Sequence, residues 1–128
     1  MLKTNSVRSP TQASDGLRLL VTRFRGRGLQ SSRYDVWLPS LGPSERLLRA
    51  YLADRITWPE FSRQYRAEMF LDGPIDTRSA TIKNHGQKFT LRLIQRLARA
   101  GDVTLLCHCA DDEAHCHRHL LERLIQRA

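Results

Sequence analysis

Val103 to Arg118, VTLLCHCADDEAHCHR, is the stretch whose reading decides the fold. It holds all three cysteines and, with His119 directly after it, four of the five histidines. Val103, Leu105, Cys107 and Cys109 alternate with Thr104, Leu106 and His108, and apolar residues stand on both faces. A strand covered on both sides of a parallel sheet reads in this way. Beyond the stretch, Leu120, Leu121, Leu124 and Ile125 recur at helical spacing, with Arg123 and Arg127 in the last turns, where cations suit the helix dipole. A short polar loop, Ala110 to Ala114, separates strand from helix. Cys107 and Cys109 are therefore expected at the carboxyl end of a strand, and Cys116, His117 and Arg118 in the first turn of the next helix. In an open α/β sheet that edge takes ligands. The helix start adds unpaired N–H groups and a positive dipole end, which suit an anion or a thiolate.

The rest of the composition frames this unit. A chain of 128 residues with 41% hydrophobic residues suits one globular domain with a real core. Arg or Lys interrupts every apolar run before it reaches the length of a membrane span, so no membrane partner is expected. The opening residues 1–16, MLKTNSVRSPTQASDG, contain no apolar stretch of a secretory signal and read as a flexible arm. The domain proper is expected over 17–128. An odd cysteine count without a signal points to a reducing, cytoplasmic setting, where close Cys/His spacing means metal binding or chemistry before disulfides. The net charge of +8, carried by 18 Arg against 3 Lys, points to a partner bearing phosphates. Arginine abundance also has a codon-usage explanation of equal weight.

Leu17 to Thr22, LRLLVT, reads as the first strand, and it ends in Arg23-Phe24-Arg25-Gly26-Arg27-Gly28, a Gly/Arg loop of the kind that cradles phosphate or simply turns in solvent. Tyr34 to Leu38 is a second extended segment. Ser44 caps a helix over Glu45 to Ala53, and Thr57 caps the next, with Pro59 in its first turn and Glu60 at the capping-box position. Trp58, Phe61, Tyr65 and Met69 then face the core. Leu71 to Gln87 shows no clear period, with Thr77 to Ile82 a possible helical turn and Lys83 and His85 in the same stretch. Lys88 to Ala100 is the clearest helix, with Phe89, Leu93 and Leu97, flanked by Ile94 and Ala98, as its apolar face and Gly101 as its stop. Lys88, Arg92, Arg96 and Arg99 make a basic stripe along it. The expected fold is α/β, a small mainly parallel sheet flanked by about four helices.

These residues carry a family likeness. LLCHCADDEAHCHRHLL resembles the strand–loop–helix signature of the domain of unknown function 488 family: a cysteine at a strand end, an acidic loop, and Cys-His-Arg opening a helix. Cys107, Cys116, His117 and Arg118 match it. The first half is similar to the YeaO-like branch. Its strand end, turn, Asp–Trp pair, Pro-Ser helix start and Trp–Phe–Tyr–Glu helix are matched by Arg23, Arg27-Gly28-Leu29, Asp35, Trp37, Pro43-Ser44, Trp58, Phe61, Tyr65 and Glu68. The resemblance runs from about Leu17 to Ile125 and implies an α/β fold without a settled activity. Two departures stand out. Cys109 replaces a glutamate that many members carry two residues after the first cysteine, and Phe24-Arg25 replaces a Trp-Pro. A catalytic role for that glutamate would not transfer to this chain, whereas Cys109 improves a soft-metal site.

Three readings of the site stay open. In the first, Arg23, Arg25, Arg27, Cys107 and Arg118 bind a phosphate-bearing ligand, nucleic acid or nucleotide, at the strand-end pocket. Cys116, His117 and Asp35 then supply base-directed hydrolytic chemistry without a cofactor. In the second, Cys107, Cys109 and Cys116, with His117 or one of His108, His115 and His119, hold Zn²⁺ or serve as a redox sensor. In the third the chain is a non-catalytic interaction module. Whether the protein is an enzyme, and its oligomeric state, are left open by the sequence.

Overall fold

The computed structural model describes residues 1–74 and 83–128. Six strands and four helices run in the order β1 (Leu2–Ser6), β2 (Leu17–Leu20), β3 (Val36–Trp37), α1 (Glu45–Leu52), α2 (Trp58–Met69), β4 (Asp72–Pro74), β5 (Lys83–His85), α3 (Lys88–Ala100), β6 (Val103–Cys107) and α4 (His117–Gln126). The main sheet is four-stranded, in the order β1-β6-β2-β3, and every pairing in it is parallel. This is the small parallel α/β architecture that the alternation in β6 predicts. All five residues of β6 are buried.

The two faces of the sheet are covered unequally. Leu19, Val21, Val103 and Leu105 join Leu47 of α1, Phe61, Tyr65 and Met69 of α2, Leu91 and Ile94 of α3, and Leu120, Leu121 and Ile125 of α4 in one core. All four helices therefore share one face. On the other face Val7, Leu20 and Leu106 make a smaller cluster, closed by Leu29 and Tyr34 from the loop after β2. Strand alternation then sorts the site residues. Cys107 belongs with Val103 and Leu105 on the helical face, and His108 with Leu106 on the loop face.

Residues 1–16 are not a free arm along their length. Leu2–Ser6 form the edge strand β1, in register with Val103–Cys107, and Val7 N–H donates to the Cys107 carbonyl at 2.8 Å. LKTNS has neither an apolar run nor strict alternation, because an edge strand gains its ladder from backbone groups and need bury little side chain. After it Gly16, at φ +65°, turns the chain into β2. A Cβ there would lie 2.0 Å from the Asp102 carbonyl oxygen, so only glycine fits.

The helix starts follow their caps. Ser44 Oγ accepts from Leu47 N–H at 3.2 Å and Thr57 Oγ1 from Glu60 N–H at 3.4 Å. The capping box at Thr57 is only half made, since Glu60 spends its carboxylate on Arg63 and Gln64. In α3 the expected inward face holds for Ile94 and Ala98 but not for Phe89, Leu93 and Leu97. Leu91 and Ile94 are buried, whereas Phe89, Leu93 and Leu97 are 60%, 60% and 40% exposed. The helix carries two apolar stripes, and Gln95 decides between them: its Nε2 donates to carbonyls at the end of α4, including Ile125 O at 3.0 Å, and turns that side inward. Before α3, β4 and β5 pair as a short antiparallel ribbon. The helical turn expected over Thr77 to Ile82 lies outside the described residues. Among the described residues, no helix is long and apolar enough to cross a membrane.

Candidate functional site

The carboxyl end of β6 and the amino end of α4 bring the three thiols together. Cys107 is the last strand residue and Cys116 the N-cap of α4; both are buried, at 1% and 2% exposure, while Cys109 is half-buried. The sulfurs of Cys107, Cys109 and Cys116 all lie within 4.8 Å of one another, and all three thiols are free. Cys107 and Cys116 are 3.1 Å apart at sulfur. The loop between them is tied down from both sides. Asp111 accepts from Ser6 N–H at 2.6 Å and from the Ser9 hydroxyl, bonds that hold its carboxyl below the usual range, with the Ser9 hydroxyl contributing most. Glu113 Oε1 accepts from His115 N–H at 2.9 Å.

Arg118 lies beneath this loop, only 1% exposed. Its Nη1 donates to Cys107 Sγ at 2.8 Å and to the Cys109 carbonyl at 3.2 Å. Its Nη2 donates to the carbonyls of Ala110, at 2.8 Å, and Asp111, at 3.2 Å. The buried Nε has no hydrogen-bond partner among the described residues. A buried guanidinium needs an anion, and among the described residues the one side chain its donors bond is the Cys107 thiol. The cluster titrates as a unit. Hydrogen bonds from Cys107 and Cys116 hold Cys109 below the ordinary thiol range; their counterparts, from Cys109 to Cys107 and from Cys107 and Cys109 to Cys116, hold Cys107 and Cys116 above it. Atom by atom, however, the donors converge on Cys107: Arg118 Nη1, the Cys109 N–H at 3.3 Å and the Cys116 thiol. Among the three, Cys109 is the thiol that ionises first and Cys116 the one held protonated, while the donors around Cys107 leave it ready to carry charge once the cluster is deprotonated.

His117 completes the centre. Its Nε2–H donates to the Val21 carbonyl at 2.7 Å, which fixes the tautomer and leaves Nδ1 as an acceptor 4.0 Å from Cys116 Sγ. Burial pushes the imidazole pKa down, so the ring is neutral. Tyr65, buried with its hydroxyl on the Leu41 carbonyl at 2.6 Å, meets His117 edge-on at 5.7 Å.

Above the thiols opens a slot of about 220 Å³, lined among others by Tyr51, Trp58, Phe61, Cys109, His115, Cys116 and His117. Trp58 stacks on His115 at 4.8 Å and 13°, and on Phe61 at 5.2 Å and 16°. The sequence places Trp58 and Phe61 in the core. It gives no sign that their outer edge, with Tyr51 from α1, forms a wall beside the cysteines, because that depends on how α1 and α2 pack.

The other residues singled out from sequence do not gather here. Arg23 donates to the carbonyls of Gly42 and Pro43, both at 2.9 Å, and so fastens the segment before α1. Arg25 bonds the Tyr34 hydroxyl and the Leu29 carbonyl, both at 2.6 Å, with its guanidinium over the Tyr34 ring. Arg27 is exposed on the loop face, beside His108 and Arg8 around a shallow hollow of about 370 Å³. His108 Nε2 lies 3.3 Å from the Phe24 carbonyl. Asp35 sits at the opposite, amino-terminal edge of the sheet, where Oδ2 accepts from Arg18 N–H at 2.8 Å and Oδ1 pairs with the guanidinium at 3.1 Å. Cys107, Cys109, Cys116, His117 and Arg118 are thus one centre. Arg25 and Arg27 are separate from it on the loop face and Asp35 at the other edge of the sheet, while Arg23, on the helical side, is kept apart because its guanidinium is bonded to the Gly42 and Pro43 carbonyls.

A parallel sheet with a thiol–guanidinium centre at its carboxyl edge, opening on an aromatic slot, is the class that fold and site define. The chain belongs to the domain of unknown function 488 family: the model of the active DUF488-N3 subclade matches residues 2–128. It is also similar to the uncharacterised protein YeaO of Escherichia coli (strain K12), 31% identical over 70 residues, which are 53% of this chain and 61% of YeaO. The match therefore spans less than two thirds of that relative's length. No solved structure matches the chain.

Proposed function

We propose that the protein binds a flat, phosphate-bearing ligand, a nucleotide or an unstacked base of single-stranded nucleic acid, in the aromatic slot, and that the thiol centre below performs base-directed hydrolytic chemistry. The observation that carries this is the placement of stacked Trp58, Phe61 and His115 rings directly beside the Cys109 and Cys116 thiols. Aromatic walls take bases by stacking, worth about 1–3 kcal/mol per base. Cys109 is the half-buried member of a cluster that carries a negative charge, which makes it the nucleophile. His117 Nδ1 is the proton acceptor. Phosphates fall over the neighbouring face of α1, where Arg46, Arg49 and Arg55, with Glu45, surround a hollow of about 620 Å³. This hollow replaces the Gly/Arg loop as the phosphate subsite, since Arg23 and Arg25 are spent on carbonyls. The free thiols suit a reducing, cytoplasmic compartment, and the subclade's designation as active accords with chemistry at this centre.

The test is a fluorescence titration with adenosine monophosphate and with a short single-stranded oligonucleotide across a salt series. Binding is expected to quench tryptophan and to weaken with salt. Trp58→Ala is expected to cost about tenfold in affinity, and Arg46→Ala with Arg55→Ala to lower the salt slope by about 2. Absence of binding, or binding indifferent to both salt and Trp58→Ala, would overturn the proposal.

A further inference from the structure

We infer that Cys107, Cys109 and Cys116 form a binding site for one soft divalent ion of the zinc class, with its fourth coordination position facing the aromatic slot. The inference goes beyond the proposed function and holds whether or not the slot takes a base; with the ion bound Cys109 is a ligand, so its role as nucleophile belongs to the ion-free protein.

The donor set is the first ground. Three thiols with sulfurs within 4.8 Å of one another come from two fixed elements, the end of β6 and the N-cap of α4, together with the residue two beyond the strand. Zinc–thiolate bonds of about 2.3 Å at tetrahedral angles put sulfurs about 3.8 Å apart. The cluster brackets that spacing. Cys107 and Cys116, at 3.1 Å, are closer because they hydrogen-bond through a thiol proton that either sulfur can carry. Loss of that proton to solvent on metal binding lets the two sulfurs part.

Charge is the second ground. Three thiolates and a divalent ion leave one net negative charge in a buried place, and the Arg118 guanidinium on Cys107 Sγ neutralises it. Among the described residues no carboxylate hydrogen-bonds or ion-pairs with Arg118, and Asp111 feels it only through space, so a thiolate is the anion in direct contact with its donors. An outer partner of this kind orients a ligand and tunes its basicity.

The open position is the third ground. Cys109, Cys116 and His117 all line the slot. His117 Nδ1 lies 4.0 Å from Cys116 Sγ and is not within the 4.8 Å cluster that the three sulfurs make. The protein thus offers three ligands and leaves the fourth place to whatever enters the slot, the arrangement of zinc sites that do chemistry rather than of closed structural ones. The neutral imidazole, its other nitrogen held by Val21, stands beside that place as an acceptor.

The test uses Co²⁺ as the optical probe, added to chelator-treated full-length protein under reductant and without nucleotide. One equivalent is expected to give sulfur-to-cobalt charge-transfer absorption, Zn²⁺ to bleach it, and bound Zn²⁺ to slow alkylation of the half-buried Cys109. Cys109→Ser, at the half-buried position and checked for folding by circular dichroism, is expected to remove about a third of the charge-transfer intensity and to weaken Zn²⁺ binding by about tenfold or more. Wild-type protein without a charge-transfer band, or with Cys109 alkylated as fast with Zn²⁺ as without it, would overturn the inference, as would a band unchanged in Cys109→Ser. Wild-type thiol protection needs no substitution, so a misfolded variant does not blunt the test. Nucleotide is absent throughout, so failure here is distinct from failure of the slot to bind a base.

Discussion

Replacing Arg118 by lysine separates charge from shape at the centre. Lysine keeps the cation and can reach Cys107 Sγ, but a single ammonium cannot also hold the carbonyls of Cys109, Ala110 and Asp111, which Arg118 bonds at 3.2, 2.8 and 3.2 Å. A charge-assisted bond contributes about 1.5–3 kcal/mol. Ala110 and Asp111 are exposed, so their carbonyls regain water, and the loss per bond falls to about 1 kcal/mol. Three lost bonds then cost about 3 kcal/mol. For a chain of this length each kcal/mol moves Tm by about 3–5 °C, so thermal unfolding is expected roughly 10–15 °C lower. Alkylation gives a second reading: with the loop over 108–115 loosened, Cys107, only 1% exposed in the wild type, becomes markedly faster to label. A Tm within about 3 °C of the wild type, together with unchanged labelling, would refute the view that the guanidinium fork holds this loop.

Three further predictions follow from the same geometry. Gly16→Ala forces a side chain into left-handed backbone against the Asp102 carbonyl and is expected to cost about 2–3 kcal/mol in denaturant melts; a loss below about 0.5 kcal/mol would mean that the turn into β2 relaxes freely. Removing residues 1–6 strips β6 of one neighbour and its ladder bonds, about 3 kcal/mol or more, whereas a loose arm would be removable without effect on urea unfolding. Asp35 is held below the usual carboxylate range, first by the Arg18 side chain and then by the Arg18 N–H. Its carboxylate therefore stabilises the fold above the unfolded-state pKa, and that contribution disappears as pH falls through the lower folded-state pKa. Asp35→Asn is expected to cost under about 1 kcal/mol at neutral pH, as suits a half-exposed pair, and nothing at acid extremes. A gap that widens with acid would reverse the assigned sign.

The last unit of the fold was legible because its chemistry and its period coincide. β6 alternates, Cys116-His117-Arg118 opens a helix, and the helix carries its own apolar spacing, so the thiols could be placed at the ligand edge from sequence. Ser44 and Thr57 marked their helices for the same local reason. The failures are all tertiary. β1 is polar because one edge of its backbone alone is bonded, and no periodicity signals that. The two apolar stripes of α3 are equivalent until Gln95 finds α4. Arginine after a strand reads as an anion ligand, but Arg23 and Arg25 are spent on carbonyls of their own loops, a role that composition does not separate from phosphate binding. Trp58 does pack on the core, as its spacing says; what the sequence could not show is that its outer edge lines the slot, since that needs α1 and the Cys109–His115 loop in place.

The position of β6 between β1 and β2 also sets the order in which the molecule can come into being. Leu2 pairs with Val103 and Leu17 with the same residue from the other side, partners about a hundred and about eighty-five positions away. At synthesis rates of about 5–20 residues per second, β1 waits roughly 5–20 s for its partner. β2 can pair early with β3, but β1 and the other edge of β2 leave the ribosome unmatched, and the sheet is completed only when the final quarter of the chain arrives. That same quarter brings every cysteine. The thiols are therefore translated within seconds of the arginine and the strands that bury them, and the nascent chain is spared a long interval with reactive sulfur in the open.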